Sequence, residues 1–227
     1  MHRTEPVPHK EIEVKLEVAP AGLSALKKLP LFKAIKATAK RADQVSVYFD
    51  TDKLKLRRKG LMLRVRREGR RYVQTIKSSD NAGLFERNEW ETEIAGKEPN
   101  LSKARGTALE PLLTDKLRRR LKPLFETRVR RTIYPVVDNR HAIAVAVDRG
   151  TIDTGKRSQR LCEIELELER GTSAKLFDIA RKLSQALPAR LAVKSKSERG
   201  YAIVDGEQES PVKAIPVDIP AGGSFAR

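Results

Sequence analysis

The chain has 227 residues, with 47 Lys and Arg against 30 Asp and Glu, a formal charge of +17 and one cysteine. That length holds one well-buried domain with or without a tail, and Cys162, beside Leu161 and Ile164 as a small core residue would be, excludes a disulfide framework and a thiolate metal site. No apolar run approaches the roughly 20 residues that cross a bilayer, and residues 1–10 lack the apolar stretch of a signal peptide.

A soluble cytoplasmic protein with no membrane association is therefore expected. The charge is either a solvated Lys/Arg surface or the mark of an anionic partner such as nucleic acid, polyphosphate or a small phosphate. In chain order, residues 10–18 alternate strictly, with Glu11, Glu13 and Lys15 on one face and Ile12, Val14 and Leu16 on the other. Such alternation marks a strand with two unlike faces. Residues 22–29 read as a short amphipathic helix, and QVSVYFD (44–50) as a second strand. After a turn signal at Gly60, LMLRVRR (61–67) sets Leu61, Leu63 and Val65 against Arg64 and Arg66. Turn signals at Glu68-Gly69 and Asn81-Ala82-Gly83 bracket YVQTIK (72–77), which ends at Lys77. FERNEWETEI (85–94) then places Arg87, Glu89, Glu91 and Glu93 opposite Trp90 and Ile94.

Over 107–122, Leu109, Leu112, Leu113, Leu117 and Leu121 recur at helical spacing. ETRVRRTIYPVV (126–137) is strand-like, and Ile143, Val145 and Val147 alternate with Ala142, Ala144 and Ala146 ahead of Asp148 and a turn signal at Arg149-Gly150. CEIELELER (162–170) repeats the opening pattern, with Glu163, Glu165 and Glu167 against Ile164, Leu166 and Leu168. A helix over 173–187 follows, with Ser173 as cap, and a last strand, LAVKSK (191–196), puts Lys194 and Lys196 on one side.

About eight strands with close turns predict an antiparallel, mainly β (α+β) fold. One wet sheet face would explain a charged side, but here that side holds Arg, Lys and Glu almost to the exclusion of neutral polar residues. Like charges two residues apart repel and call for a cation. In a closed eight-stranded barrel one face of every strand points inward. The expectation is a tunnel with a charged interior, its aliphatic outer wall covered by a few amphipathic helices.

Glu11, Glu13 and Lys15 resemble the Glu-X-Glu-X-Lys signature of the CYTH domain, the triphosphate tunnel metalloenzymes. Further matches follow in order: YFDT at 48–51, LRVR at 63–66, QTIK at 74–77, EWE around Trp90, VDRG at 147–150, EIELEL at 163–168 and SKSERGY at 195–201. The resemblance covers residues 9–204, with 1–8 as a flexible N-terminus and 205–227 as a linker or disordered tail.

The resemblance implies hydrolysis of inorganic triphosphate to diphosphate and phosphate, dependent on Mg2+ or Mn2+, with two ions per site. It assigns metal binding to Glu11, Glu13, Asp148, Glu163, Glu165 and Glu167. Phosphate contacts fall to Lys15, Arg64, Arg66, Lys77, Arg130, Arg131, Lys194 and Lys196, and catalytic roles to Lys77, Glu89 and Glu91. In ETRVRRT, alternation from Glu126 puts Arg128 and Arg130 on the charged face, whereas the family pattern favours Arg131; a bulge would reconcile the two.

Two other readings stay open within the fold, a class IV-type adenylyl cyclase and a nucleoside or thiamine triphosphatase. A third is of another class, a non-catalytic module that binds polyphosphate or an RNA end; the carboxylates count against it, and nucleic acid is not the expected partner. The tail stretch KAIPVDI resembles the connector that leads, in some relatives, into a helical CHAD domain, which would make this chain part of a longer protein. Monomer and homodimer are both compatible with the sequence.

Overall fold

The computed structural model describes residues 9–79 and 85–206. The expected N-terminal segment 1–8, the turn signal at 81–83 and the tail from 207 onward lie outside the described residues. Nine strands form one sheet: β1 (His9–Val18), β2 (Lys40–Asp50), β3 (Leu61–Glu68), β4 (Arg71–Ser78), β5 (Glu86–Ile94), β6 (Lys122–Val137), β7 (Ala142–Asp153), β8 (Ser158–Arg170) and β9 (Ala189–Leu191). Their order is β5-β4-β3-β2-β6-β7-β8-β1-β9, and a further β5–β1 pairing closes eight of them into an antiparallel barrel. The first half of β1 pairs with β5 and its second half with β8, while β9 takes the edge that β5 leaves free.

The expected inversion holds. Val14, Leu16 and Val18 of β1, with Ile143, Val145, Ile164 and Leu166, pack outward against α1 (Gly22–Leu26), α2 (Pro30–Ala34) and α4 (Ser173–Ala186). Leu63, Val65 and Ile76 pack outward beneath the segment 101–121, which contains α3 (Asp115–Arg120). A third cluster plugs one end: Tyr48 and Met62, whose side chains line the barrel interior, meet Phe125, Val129 and Tyr201, the last from α5 (Lys196–Asp205). Burial of these apolar faces on the outer wall, at about 25 cal/mol per Å², leaves the interior to polar groups.

Five local expectations need correction. The helix expected over 173–187 with Ser173 as cap has Ser173 as its first helical residue, Thr172 at the cap position with no side-chain cap bond, and ends at Ala186. The helix expected over 107–122 is α-helical only at Asp115–Arg120, capped by Thr114, with a 3-10 turn at Glu110–Leu112, because Pro111 lacks the donor an α-helix interior requires. The helix expected at 22–29 ends at Leu26, and Pro30 starts a separate one. Arg149-Gly150 is no turn: β7 runs on to Asp153, and Gly150 serves close strand approach, since a Cβ there would lie 1.9 Å from the Arg128 carbonyl oxygen.

Finally, LAVKSK is not a strand. Pairing ends at Leu191, and Ser195 caps α5 in a capping box, accepting from Glu198 N while the Glu198 carboxylate accepts from Ser195 N. The motif Ser195-Lys-Ser-Glu198 is a helix-start signal that the Lys194/Lys196 alternation obscures.

Candidate functional site

The barrel encloses a cavity of about 460 Å3 whose lining includes Glu11, Glu13, Lys15, Arg64, Arg66, Lys77, Arg87, Glu89, Glu91, Arg131, Glu165, Glu167 and Lys196. Charges of both signs alternate around it, so most cations have a carboxylate neighbour and the desolvation cost is shared.

On the side that α5 approaches, three acids converge. Asp148 and Glu163 are fully buried, and with Glu165 they bring carboxylate oxygens within 4.8 Å of one another. Arg131 donates from Nε and Nη2 to Asp148 at 2.8 and 2.6 Å and also pairs with Glu165. Lys196, the first residue of α5, stands among all three, 2.7 Å from Asp148 Oδ2, 2.8 Å from Glu165 Oε1 and in contact with Glu163. Arg199, one turn on, reaches Glu163 at 3.5 Å and donates to the Arg160 carbonyl at 3.0 Å. Burial opposes ionisation of Glu165, but Lys196 and Arg131 hold its carboxyl well below the usual range. Glu163 goes the other way, its carboxyl raised chiefly by burial.

Across the cavity, Lys77 pairs with Glu11 and lies 3.4 Å from Glu89. Arg64 spans Glu89 and Glu91 at 3.6 and 3.5 Å, and Glu91 also accepts from Thr75 Oγ1 at 2.9 Å and pairs with Arg66 at 3.2 Å. Burial works against the charge on Lys77, yet Glu11 and Glu89 overcome it and raise the ammonium's pKa. Arg66 is shifted down by burial and by the Arg64 guanidinium beside it. Its buried Nε lacks a well-directed hydrogen bond even though Glu68 is 2.8 Å away.

The third feature is an excess of carboxylate. Glu167 stands opposite Glu13 in the β1–β8 register and feels Glu11 and Glu89 as well. Burial first, then the Glu11 charge, pushes its carboxyl up to about 7. The nearby Lys15 is taken by Glu13, and Lys77 by Glu11. Glu11, Glu13 and Glu167 thus add three carboxylates to a lining that supplies two lysines beside them, and carboxylate oxygen is the donor that hard divalent cations take; among the described residues, however, the acids whose oxygens converge within 4.8 Å are Asp148, Glu163 and Glu165. The triad of Asp148, Glu163 and Glu165 has the same donors but already holds the Lys196 ammonium and the Arg131 guanidinium.

Of the residues expected at the site, Arg130 and Lys194 do not join the others. Arg130 is on the outer wall with an exposed side chain, 3.4 Å from Asp43, and Lys194 is exposed in the segment before α5. In β6 the charged alternation of Glu126, Arg128 and Arg130 is the solvated face, whereas Thr127, Val129, Arg131 and Ile133 line the cavity. A bulge does occur, where Tyr48/Phe49 of β2 face Phe125/Pro123 of β6, but it lies before this stretch and the simple alternation persists through it.

Sequence reasoning passed over Arg199, whose place one turn after Lys196 becomes visible only once α5 is recognised as a helix. It also left Arg87 unassigned, although Arg87 shares the face of Glu89 and Glu91, lines the cavity and lies 3.6 Å from Glu198 of α5. Asp50, in the YFDT stretch, is fully buried and structural: it accepts from the backbone N–H groups of Thr51, Leu56 and Arg57 and from Tyr201 Oη. Among the described residues no helix is long and apolar enough to cross a membrane.

A family model described as the CYTH domain matches residues 9–201. The inorganic triphosphatase of Haemophilus influenzae is 29% identical over 207 residues, 86% of this chain and 55% of that protein, so the chain spans little more than half the length of this curated relative. Among solved structures, a candidate adenylyl cyclase from Hippeastrum with a dominant triphosphatase activity has a TM-score of 0.60 at 19% identity, covering 88% of this chain and 98% of that one. A candidate adenylate cyclase from Bacillus halodurans has a TM-score of 0.54 at 18% identity, with coverage of 84% and 97%. At these identities the solved structures speak for a shared fold.

Proposed function

Because this chain belongs to the CYTH domain family over residues 9–201, we propose that its tunnel hydrolyses inorganic triphosphate to diphosphate and phosphate with Mg2+ or Mn2+. The observation that carries this reading is the two-sign lining of a closed barrel, in which Arg64, Arg66, Lys77, Arg131 and Lys196 stand among Glu11, Glu13, Glu89, Glu91, Glu165 and Glu167. A module that only bound a polyanion would gain nothing from the acids. The named activity of the Haemophilus relative supports the same substrate.

In this reading Glu11, Glu13 and Glu167 hold the divalent ion, which would neutralise phosphate oxygens and acidify a bound water. Arg64, Arg66 and Arg131 hold the non-bridging oxygens of the chain, with Lys15 and Lys196 beside them. Lys77, fixed between Glu11 and Glu89, donates to the phosphate whose negative charge grows as the bridging P–O bond breaks. Water adds to the terminal phosphorus and diphosphate departs with the bonding electron pair; one of the water's protons passes to solvent or a neighbouring carboxylate and the other stays on the released phosphate. Positioning and charge stabilisation carry the rate in such a transfer.

The test is phosphate release from tripolyphosphate, ATP, thiamine triphosphate and long-chain polyphosphate, with each metal and with chelator. Release from tripolyphosphate that needs metal and exceeds the others supports the reading. Cyclic AMP from ATP would favour a cyclase, and tight binding without turnover a binding module.

A further inference from the structure

A second cavity, of about 590 Å3, lies outside the barrel wall and shares no lining residue with the tunnel. Two segments distant in sequence meet there, the loop that follows β2 and helix α3. Six of its nine lining residues are basic: Lys53, Lys55, Arg58, Lys59, Lys116 and Arg120. Its only carboxylate, Asp52, is ion-paired to Lys122. Among the described residues none of the six cations has a carboxylate within ion-pair distance.

The loop is held in place rather than merely exposed. Asp50 accepts the N–H groups of Thr51, Leu56 and Arg57 at 2.7, 2.9 and 3.0 Å, and Thr51 Oγ1 accepts from Lys55 N at 3.1 Å. Inside it Leu54 has a φ of 51°, a left-handed conformation that costs a residue with a Cβ roughly 1–2 kcal/mol. Leu56 of the loop and Leu117 of α3 are both buried in one apolar cluster, which fixes the spacing between the two basic segments. The fold therefore spends backbone strain and like-charge repulsion to hold six cations around one groove, and a polyanion lying among them offsets both.

We propose that this groove docks linear inorganic polyphosphate. Ammonium groups meet phosphate oxygens as point charges, and the two guanidinium groups add paired donors. The lining contains no aromatic ring, so it has no platform on which nucleobases stack, which single-stranded nucleic acid ordinarily uses. The groove stands independently of what the tunnel does.

The experiment uses the full chain in metal-free buffer with excess tripolyphosphate filling the tunnel, and titrates fluorescently labelled long-chain polyphosphate. The comparison is with the triple variant Lys59→Glu, Lys116→Glu, Arg120→Glu, whose positions are all exposed; circular dichroism checks its fold. Polyphosphate should bind the variant at least about tenfold more weakly and with a shallower salt dependence, since each lost phosphate contact removes counterion release. Tripolyphosphate turnover, measured separately with metal, should match the parent. Unchanged polyphosphate affinity overturns the proposal, as does displacement of polyphosphate by RNA at lower phosphate concentration, which would make the groove a nucleic-acid site. If the parent releases no phosphate from tripolyphosphate, the tunnel reading fails while the binding comparison still decides the groove.

Discussion

The Lys196 ammonium stands 2.7 Å from Asp148 and 2.8 Å from Glu165, a tethered cation inside a carboxylate triad. Removing it as Lys196→Met leaves Asp148, Glu163 and Glu165 with Arg131 and Arg199 alone. Breaking a buried pair by taking away one partner costs about 3–5 kcal/mol, so the urea midpoint of the metal-free variant should fall accordingly. Added Mn2+ should recover part of that loss, because an ion that binds only the folded state stabilises it. A variant as stable as the parent without metal contradicts this role.

Glu167 makes folding depend on pH. Its carboxyl is raised from 4.5 to about 7, so the folded state favours the protonated form, and stability is lost as pH rises across that window. In chelator, Glu167→Gln should match the parent near pH 5 and exceed it near pH 8, by on the order of 1–3 kcal/mol once solvent screening is allowed for. Parallel pH profiles of the two urea midpoints would rule this out.

Gly200 packs α5 onto the barrel end. A Cβ there would lie 2.1 Å from the Phe125 ring, and Phe125 stacks on Tyr48 with centroids 4.5 Å apart, so the ring has little room to yield. Gly200→Ala should cost about 1–3 kcal/mol and, by shifting the helix that carries Lys196, lower turnover of tripolyphosphate as well. Thermal melting and phosphate release read the two effects separately; a variant unchanged in both would show that α5 is not the support proposed here.

The two faces of β6 make a paired prediction. Arg131→Ala should lower kcat by roughly 100-fold or more, as loss of a preorganised charge contact does. Arg130→Ala and Lys194→Ala should stay within about twofold of the parent, because both side chains face solvent. Steady-state phosphate release from all three variants checks it, and an Arg130 effect as large as that of Arg131 would refute the assigned phase.

Strict alternation made β1 and β8 readable, because their two faces differ in kind: aliphatic side chains pack under α4 while acids point inward. The same rule gave the wrong face on β6. There the charges of Glu126, Arg128 and Arg130 are a solvated outer wall, and the inward set of Thr127, Val129 and Ile133 is mostly uncharged around Arg131. Charge marks a polar face, but not whether that face meets solvent or a lumen. Lys196 was legible as a residue yet not as part of a helix, since the capping box of Ser195 and Glu198 overlaps an apparent two-residue repeat. The contact of Lys77 with Glu11 depends on barrel closure through the β1–β5 pairing, and those of Lys196 and Arg199 with the acids on where α5 docks, neither of which a local pattern encodes.

The central claim, a metal-dependent triphosphatase tunnel, is tested most directly by initial rates of phosphate release from tripolyphosphate with Mg2+ or Mn2+ for the parent, Lys77→Ala and Glu13→Ala. Metal-dependent release by the parent, lowered roughly 100-fold or more in both variants, is the predicted result; release that persists in chelator, or is undiminished in both variants, would contradict it.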